Sequence, residues 1–426
     1  MRLEDKQNYR GWLACILEGR FLTVYITPEL GGRMMQIELG GYPFFFNNEA
    51  LHGAVPTSKR AGQWLNYGGE KIWPAPQGWG LPDHWPGPPD PVLDGGPYDV
   101  LAQGSASGKR YIRMRSQADP YTGLQIEKAI ELSEHRSGVS VQATFHNTSA
   151  VVRRWSIWPV LQLSTPDAVK GTSIVSCPMA PDSQFSEGYK VMHGLVNNPQ
   201  FGRDGHNNLL VSYEYIVGKV GLDSRANWVA YTDILSGYVL VATFNYEENA
   251  VYPEGTSVQI WTQGSGQVYS RNEVRHFPHD PLDNPPYLEI ELLSPLFTLA
   301  PGESASFAYQ ISCCKVPRHH HVIRKTAFSV AVSSLRISME NGDLRIRGKY
   351  GVFSEGTLKI GYKADSAPEV FTPIADLEVS PLQPVEVDVY LHEAEMPWGS
   401  GVIVQLNLYM EGIFKETIDQ HTYVIT

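Results

Sequence analysis

In VSVQATF, residues Val139–Phe145, apolar Val139, Val141, Ala143 and Phe145 alternate with Ser140, Gln142 and Thr144. A period of two places one set on each side of an extended chain, so the segment reads as a half-buried β-strand. The same composition recurs outward in both directions. RFLTVYI (Arg20–Ile26), RYIRMR (Arg110–Arg115), YVLVATF (Tyr238–Phe244) and SASFAYQI (Ser304–Ile311) are short and rich in Val, Ile, Thr, Tyr and Phe. Punctuation comes from 39 glycines and 30 prolines, and no sustained 3.6-residue stripe interrupts the series. The chain is therefore expected to be all-β, built of many antiparallel strands.

Composition narrows the classes further. Of the 426 residues 42% are hydrophobic and 19% charged, which supplies a core and excludes wholesale disorder. The net charge of −11 lacks the basic footprint of a nucleic-acid binder. No apolar run approaches the roughly 18 residues of a membrane-spanning helix. The opening MRLEDKQNYRGW has no basic stretch followed by an apolar segment, so a cytoplasmic protein is expected. Cys15, Cys177, Cys313 and Cys314 have neither disulfide-framework nor zinc spacing and read as buried free thiols.

Two stretches break the strand pattern. From Asn66 to Tyr98 the chain reads NYGGEKIWPAPQGWGLPDHWPGPPDPVLDGGPY. With Trp64 just before it, this region holds Trp64, Trp73, Trp79 and Trp85. Its prolines preclude a sheet interior, and a long ordered loop in a globular domain is commonly functional. Rings beside Asn66, Glu70, Lys71, Gln77, Asp83, His84, Asp90 and Asp94 suit a sugar, whose C–H face stacks on aromatics while its hydroxyls take planar polar partners. A lid whose tryptophans fill their own small core remains the alternative. Gly68-Gly69 allows either close ligand approach or a tight turn.

The second stretch, KVPRHHHVIRK (Lys315–Lys325), reads as a linker. It divides a large domain, residues 1–316, from a small β-sandwich of immunoglobulin-like type, residues 317–426, whose short strands are separated by turns such as Asn341-Gly342.

Four segments carry a family resemblance: YITPELGGRMMQIELGGYPFFFNN (Tyr25–Asn48), NYGGEKIWPAPQ (Asn66–Gln77), VQATFHNTSAVVRRWSIWPVLQL (Val141–Leu163) and YLEIELLSPLFTLAPGES (Tyr287–Ser304). In this order they resemble the galactose-mutarotase-like, or aldose 1-epimerase-like, superfamily. The resemblance is closer to a branch marked by NYGGxKxWPAPQ and DPVLDGGPY. It implies a large antiparallel β-supersandwich over about residues 12–314 and carbohydrate recognition on the concave face. It implies no cofactor and no metal.

Mutarotation needs a base for the anomeric hydroxyl and an acid for the ring oxygen. The resemblance implies a base glutamate on the late strand, best matched by Glu291. Glu289, two residues earlier, shares its side of the strand. It also implies an acid histidine on the central strand, where Trp158 stands instead. His276, His279, His206, His193 and His84 are the candidates for the acid, and His276, close before the Glu291 strand, is the choice. His276-x-x-His279 with Asp280 and Asp283 is an alternative metal tract. Arg33, Asn66, Glu70, Lys71, Trp73, Gln77, Trp158 and Lys219 are the expected substrate contacts. A non-catalytic sugar-binding protein, or a lyase or hydrolase of polysaccharides, remains open on the same scaffold.

Overall fold

The computed structural model describes residues 6–56, 62–78, 83–166, 171–270, 273–392 and 401–424. They form antiparallel sheets, and among them no helix is long and apolar enough to cross a membrane. The chain separates into two compact units. The first comprises residues 1–134, 138–230 and 241–312; the second comprises 135–137, 231–240 and 313–426.

Two large sheets organise the first unit. The twelve-stranded sheet carries, side by side, Arg33–Leu39, Glu70–Ala75, Arg153–Ser164, Tyr287–Leu292, Val258–Thr262, Gly218–Leu222 and Lys190–Gly194. The ten-stranded sheet includes Gly138–Asn147, flanked by Ser304–Lys315 and Leu124–Ser133. The alternation that identifies Val139–Phe145 as a strand is realised directly. Val139, Val141, Ala143 and Phe145 are buried, and the strand's Gln142 is exposed.

Each strand of the twelve-stranded sheet has two faces of different chemistry. One face presents Ile157, Leu161, Leu163, Leu288, Ile290, Leu292, Val258 and Ile260, all inaccessible to solvent. It packs toward the ten-stranded sheet, as Lys128 and Tyr309 of that sheet show by bonding Glu70 across the interior. The other face is polar and aromatic, and it forms the floor of a cavity.

The second unit contains a sandwich built on seven successive strands. Ser329–Glu340, Asp343–Val352 and Val385–Leu391 share one sheet. Gly356–Ala364, Ala367–Val379, Gly401–Met410 and Ile413–Val424 form the other. The first, second and fifth strands thus lie opposite the third, fourth, sixth and seventh, an immunoglobulin-like order. Leu344, Ile346, Leu358, Ile360, Val402, Val404, Leu406 and Leu408 alternate into its core.

Candidate functional site

Residues opposite one another in an antiparallel ladder project to the same face. One such row runs Gln162, Glu289, Trp261, Lys219 and His193 across five neighbouring strands. A second, displaced by two residues, runs Lys71, Val160, Glu291 and Gln259. A third pairs Trp158 with Trp73. Alternation and register therefore collect tryptophans, glutamates, two lysines and a histidine from six strands onto one surface. Loop residues Phe46, Asn48, Trp64, Asn66, Gln77, Asp283 and Asn284 and the hairpin Gly266–Ser270/Glu273–Phe277 complete a cavity of about 690 Å³.

Glu291 is at the centre. Trp158 Nε1 and Lys219 Nζ both donate to its Oε2, each at 2.8 Å. Burial pushes the Glu291 carboxyl above the usual carboxylate range, against the pull of Lys219, with Glu289 pushing in the same direction as burial. Gln162 Nε2 donates to Glu289 Oε1 at 2.8 Å. The Lys219 ammonium sits 4.8 Å from the centre of the Trp158 ring, and Trp158 meets Trp73 edge-on at 5.4 Å. His193 lines the same wall, edge to Trp261 at 6.1 Å. Burial and the Lys219 charge lower the His193 pKa, favouring the neutral imidazole.

The structure brings Glu291, Asn66, Trp73, Gln77, Trp158 and Lys219 together in the lining. Three expected contacts, Arg33, Glu70 and Lys71, and the expected acid, His276, lie elsewhere. Glu70 is adjacent to Lys71 on one strand, so the two must face opposite ways. Glu70 points into the interior, where Lys128 Nζ and Tyr309 Oη each donate to it at 2.5 Å. Lys71 faces the cavity side but is covered. Its ammonium lies 4.3 Å from the Trp73 ring centre and 3.5 Å from Glu289, outside the lining. Burial lowers the Lys71 pKa to about 8.

Arg33 is consumed by the scaffold. It donates to Gly68 O at 2.7 Å and to Asp94 Oδ1 at 2.8 Å, and the same Asp94 oxygen accepts from Trp73 Nε1 at 2.9 Å. Arg33 therefore positions a lining tryptophan without reaching the cavity. His276 is turned away. In its hairpin Val268 pairs with Arg275, and Phe277 lies two residues beyond Arg275 on the same face. Those three line the cavity, as does Tyr269 from the hairpin's other face, while His276 lies beside Gln267 outside the lining. Among the candidate histidines, His193 is the one in the lining; His279 packs against Tyr215 instead.

The tryptophan-rich stretch is not one loop: against the expectation from its prolines, Glu70–Ala75 is an interior strand of the twelve-stranded sheet with Pro74 opposite Ile157, a place proline can take because the neighbouring Arg33–Leu39 pairs with this strand only through Met34 and Glu70. Trp64 and Trp73 line the cavity, whereas Trp85 is buried, donates to Asp90 and packs on Trp73 at 5.1 Å. Trp79 lies outside the described residues. Gly68-Gly69 serves the chain itself, with φ values of 93° and 76°. A Cβ at Gly68 would fall 1.9 Å from Phe46 O.

Sequence reasoning overlooked Trp261, Tyr287, Arg275 and Phe277 in the lining, and Gln162, which is buried outside it and donates to Glu289. Trp261 had a readable signal. It stands in VQIWT at the parity opposite Val258 and Ile260, the strand's two buried aliphatic residues.

Among solved structures, the chain is similar to a galactose mutarotase-like protein of Clostridium acetobutylicum, at 11% identity and a TM-score of 0.46, covering 73% of this chain and 98% of that one. It is also similar to a galactose mutarotase-like protein of Lactobacillus casei, at 10% identity and 0.43, covering 70% and 99%. A TPR-domain containing protein of Parabacteroides distasonis matches at 12% identity and 0.46, over 70% of this chain and 46% of that one, so the chain spans less than half of it. The sequence profile of the domain of unknown function DUF4380 matches residues 14–310, well over half of the chain. The chain belongs to the DUF4380 family.

Proposed function

We propose that the cavity binds a carbohydrate and that Glu291 acts as base on its anomeric hydroxyl. The observation that carries this reading is the single sheet face on which Trp73, Trp158 and Trp261 are interleaved with Glu289, Glu291, Gln162 and Lys219. Rings offer stacking surfaces to sugar C–H groups, and the polar groups between them offer directed partners to hydroxyls. A carboxyl whose pKa is raised toward neutrality is a better proton acceptor than an ordinary one. His193, on the same row as Lys219, is the candidate histidine in the lining, and it gives a proton to the ring oxygen only from the imidazolium form that its lowered pKa makes scarce. Cys177, Cys313 and Cys314, buried thiols outside any disulfide, accord with a cytoplasmic setting.

One observation favours a second reading, binding without catalysis. Trp158 and Lys219 both donate to Glu291 Oε2, and each stabilises the charged carboxylate. NMR exchange between anomers, with tryptophan fluorescence titration, separates the two over a panel of aldoses, sugar phosphates and uronic acids. Under the catalytic reading the wild type accelerates exchange and Glu291→Gln lowers the rate by roughly 10²–10⁴-fold. Binding without acceleration leaves the second reading. Absence of binding across the panel removes both.

A further inference from the structure

The lining has two tiers. The inner tier is the strand face with Trp73, Trp158, Trp261, Glu289, Glu291 and Lys219, all buried or nearly so. The outer tier is a rim of loop and hairpin residues, among them Trp64, Gln77, Arg275, Phe277 and Asp283. This rim repeats the chemistry of the floor: rings, an amide, a guanidinium and a carboxylate directed at the same space. At about 690 Å³ the cavity lies in the upper part of the roughly 300–1,000 Å³ range of drug-sized sites, more room than one hexose ring fills.

The hairpin Gly266–Ser270/Glu273–Phe277 forms a two-stranded sheet of its own. Its Val268, Tyr269, Arg275 and Phe277 line the cavity, while Gln267 and His276 pair with each other outside the lining. Val268 is buried and anchors the hairpin, whereas Arg275 stays exposed and Phe277 half-buried at the rim. An arginine fork beside an aromatic ring matches a second sugar residue: the ring takes its C–H face and the fork its hydroxyls.

Building on the carbohydrate reading, we infer that the site takes a glycan of at least two residues, its inner residue over Trp158 and Glu291 and its next residue against Arg275 and Phe277. The inner cations are already matched by carboxylates: Lys219 lies 2.8 Å from Glu291 and Lys71 lies 3.5 Å from Glu289. Neutral probes are therefore the appropriate ones.

The test is calorimetric titration of the full chain with glucose, maltose, maltotriose and cellobiose, and with galactose and lactose. Phe277→Ala and Arg275→Ala are titrated alongside, and thermal unfolding confirms that both variants are folded. At least one disaccharide is expected to bind about tenfold tighter than its component monosaccharides, with the ratio falling toward unity in both variants. Monosaccharides and disaccharides binding equally to the wild type would overturn the two-residue site while leaving carbohydrate binding intact. A disaccharide advantage that survives both substitutions would overturn the hairpin as the outer subsite. No binding by any of the six neutral sugars would overturn this inference, while the carbohydrate reading falls only if the sugar phosphates and uronic acids of the anomer-exchange panel fail as well.

Discussion

Lys71 shows how a single side chain records its surroundings. It is enclosed by Trp73 and Trp64, with Glu289 3.5 Å away, and burial outweighs that carboxylate. Its pKa falls from 10.5 to about 8. Below that value the folded protein holds a charge that water would solvate better, and the unfolded chain binds its proton more tightly. As pH rises from about 8 to about 10.5 this penalty disappears, so stability increases through that window. Denaturation of wild type and Lys71→Met across pH 7–11 should show the wild type gaining on the variant by up to about 3 kcal/mol. A constant difference would mean that the ammonium is better solvated than its enclosure implies. Glu291 differs by having two donors on one oxygen, which keeps a buried carboxylate compatible with the fold.

At the scale of the element, Glu70–Ala75 serves two compartments. Glu70 faces the interior and meets Lys128, which stands at an inward position of Leu124–Ser133 among Ile126, Ile130 and Leu132. Removing one partner of such a pair leaves an uncompensated buried charge, at a cost of about 3–5 kcal/mol. Glu70→Gln and Lys128→Met should each be destabilised on that scale. The double variant should be more stable than the sum of the two losses by at least about 2 kcal/mol in a denaturation cycle. Additive losses would show that the two charges do not depend on one another.

The same strand explains what the sequence disclosed. The alternation of Val139–Phe145 and the shared parity of Glu289 and Glu291 are local properties, and both are legible in the residues. The prolines and tryptophans between Trp64 and Tyr98, by contrast, suggest a loop throughout and conceal the interior strand Glu70–Ala75. Opposite parity also separates Glu70 from Lys71, though composition alone groups them. Pairing between distant strands is a different matter. That Lys219 stands opposite Trp261 and His193, or that Asp94 binds both Arg33 and Trp73, depends on a register set by the whole sheet. His276 fails for a similar reason: closeness in sequence to Glu291 says nothing about which face of a hairpin it occupies.

At the scale of the whole molecule, the C-terminal sandwich holds a core drawn from residues 331–418 alone. Leu344, Ile346, Leu358, Ile360, Val402, Val404, Leu406 and Leu408 come from both of its sheets. A fragment of residues 315–426 should therefore fold by itself, giving a dispersed amide NMR spectrum and a cooperative thermal transition. A collapsed spectrum would show that this core needs the remainder of the chain.

The two-sided character of Glu70–Ala75 also governs which changes in chain length the protein can absorb. Deleting or inserting one residue within it would exchange its faces, carrying the Glu70 carboxylate toward the cavity and the Lys71 ammonium into the apolar interior. Two sites would be lost in one step, although no residue of either had been replaced. Natural variation in length should accordingly collect in the loops on either side of this strand, while the six positions from Glu70 to Ala75 keep their count even where their identities drift.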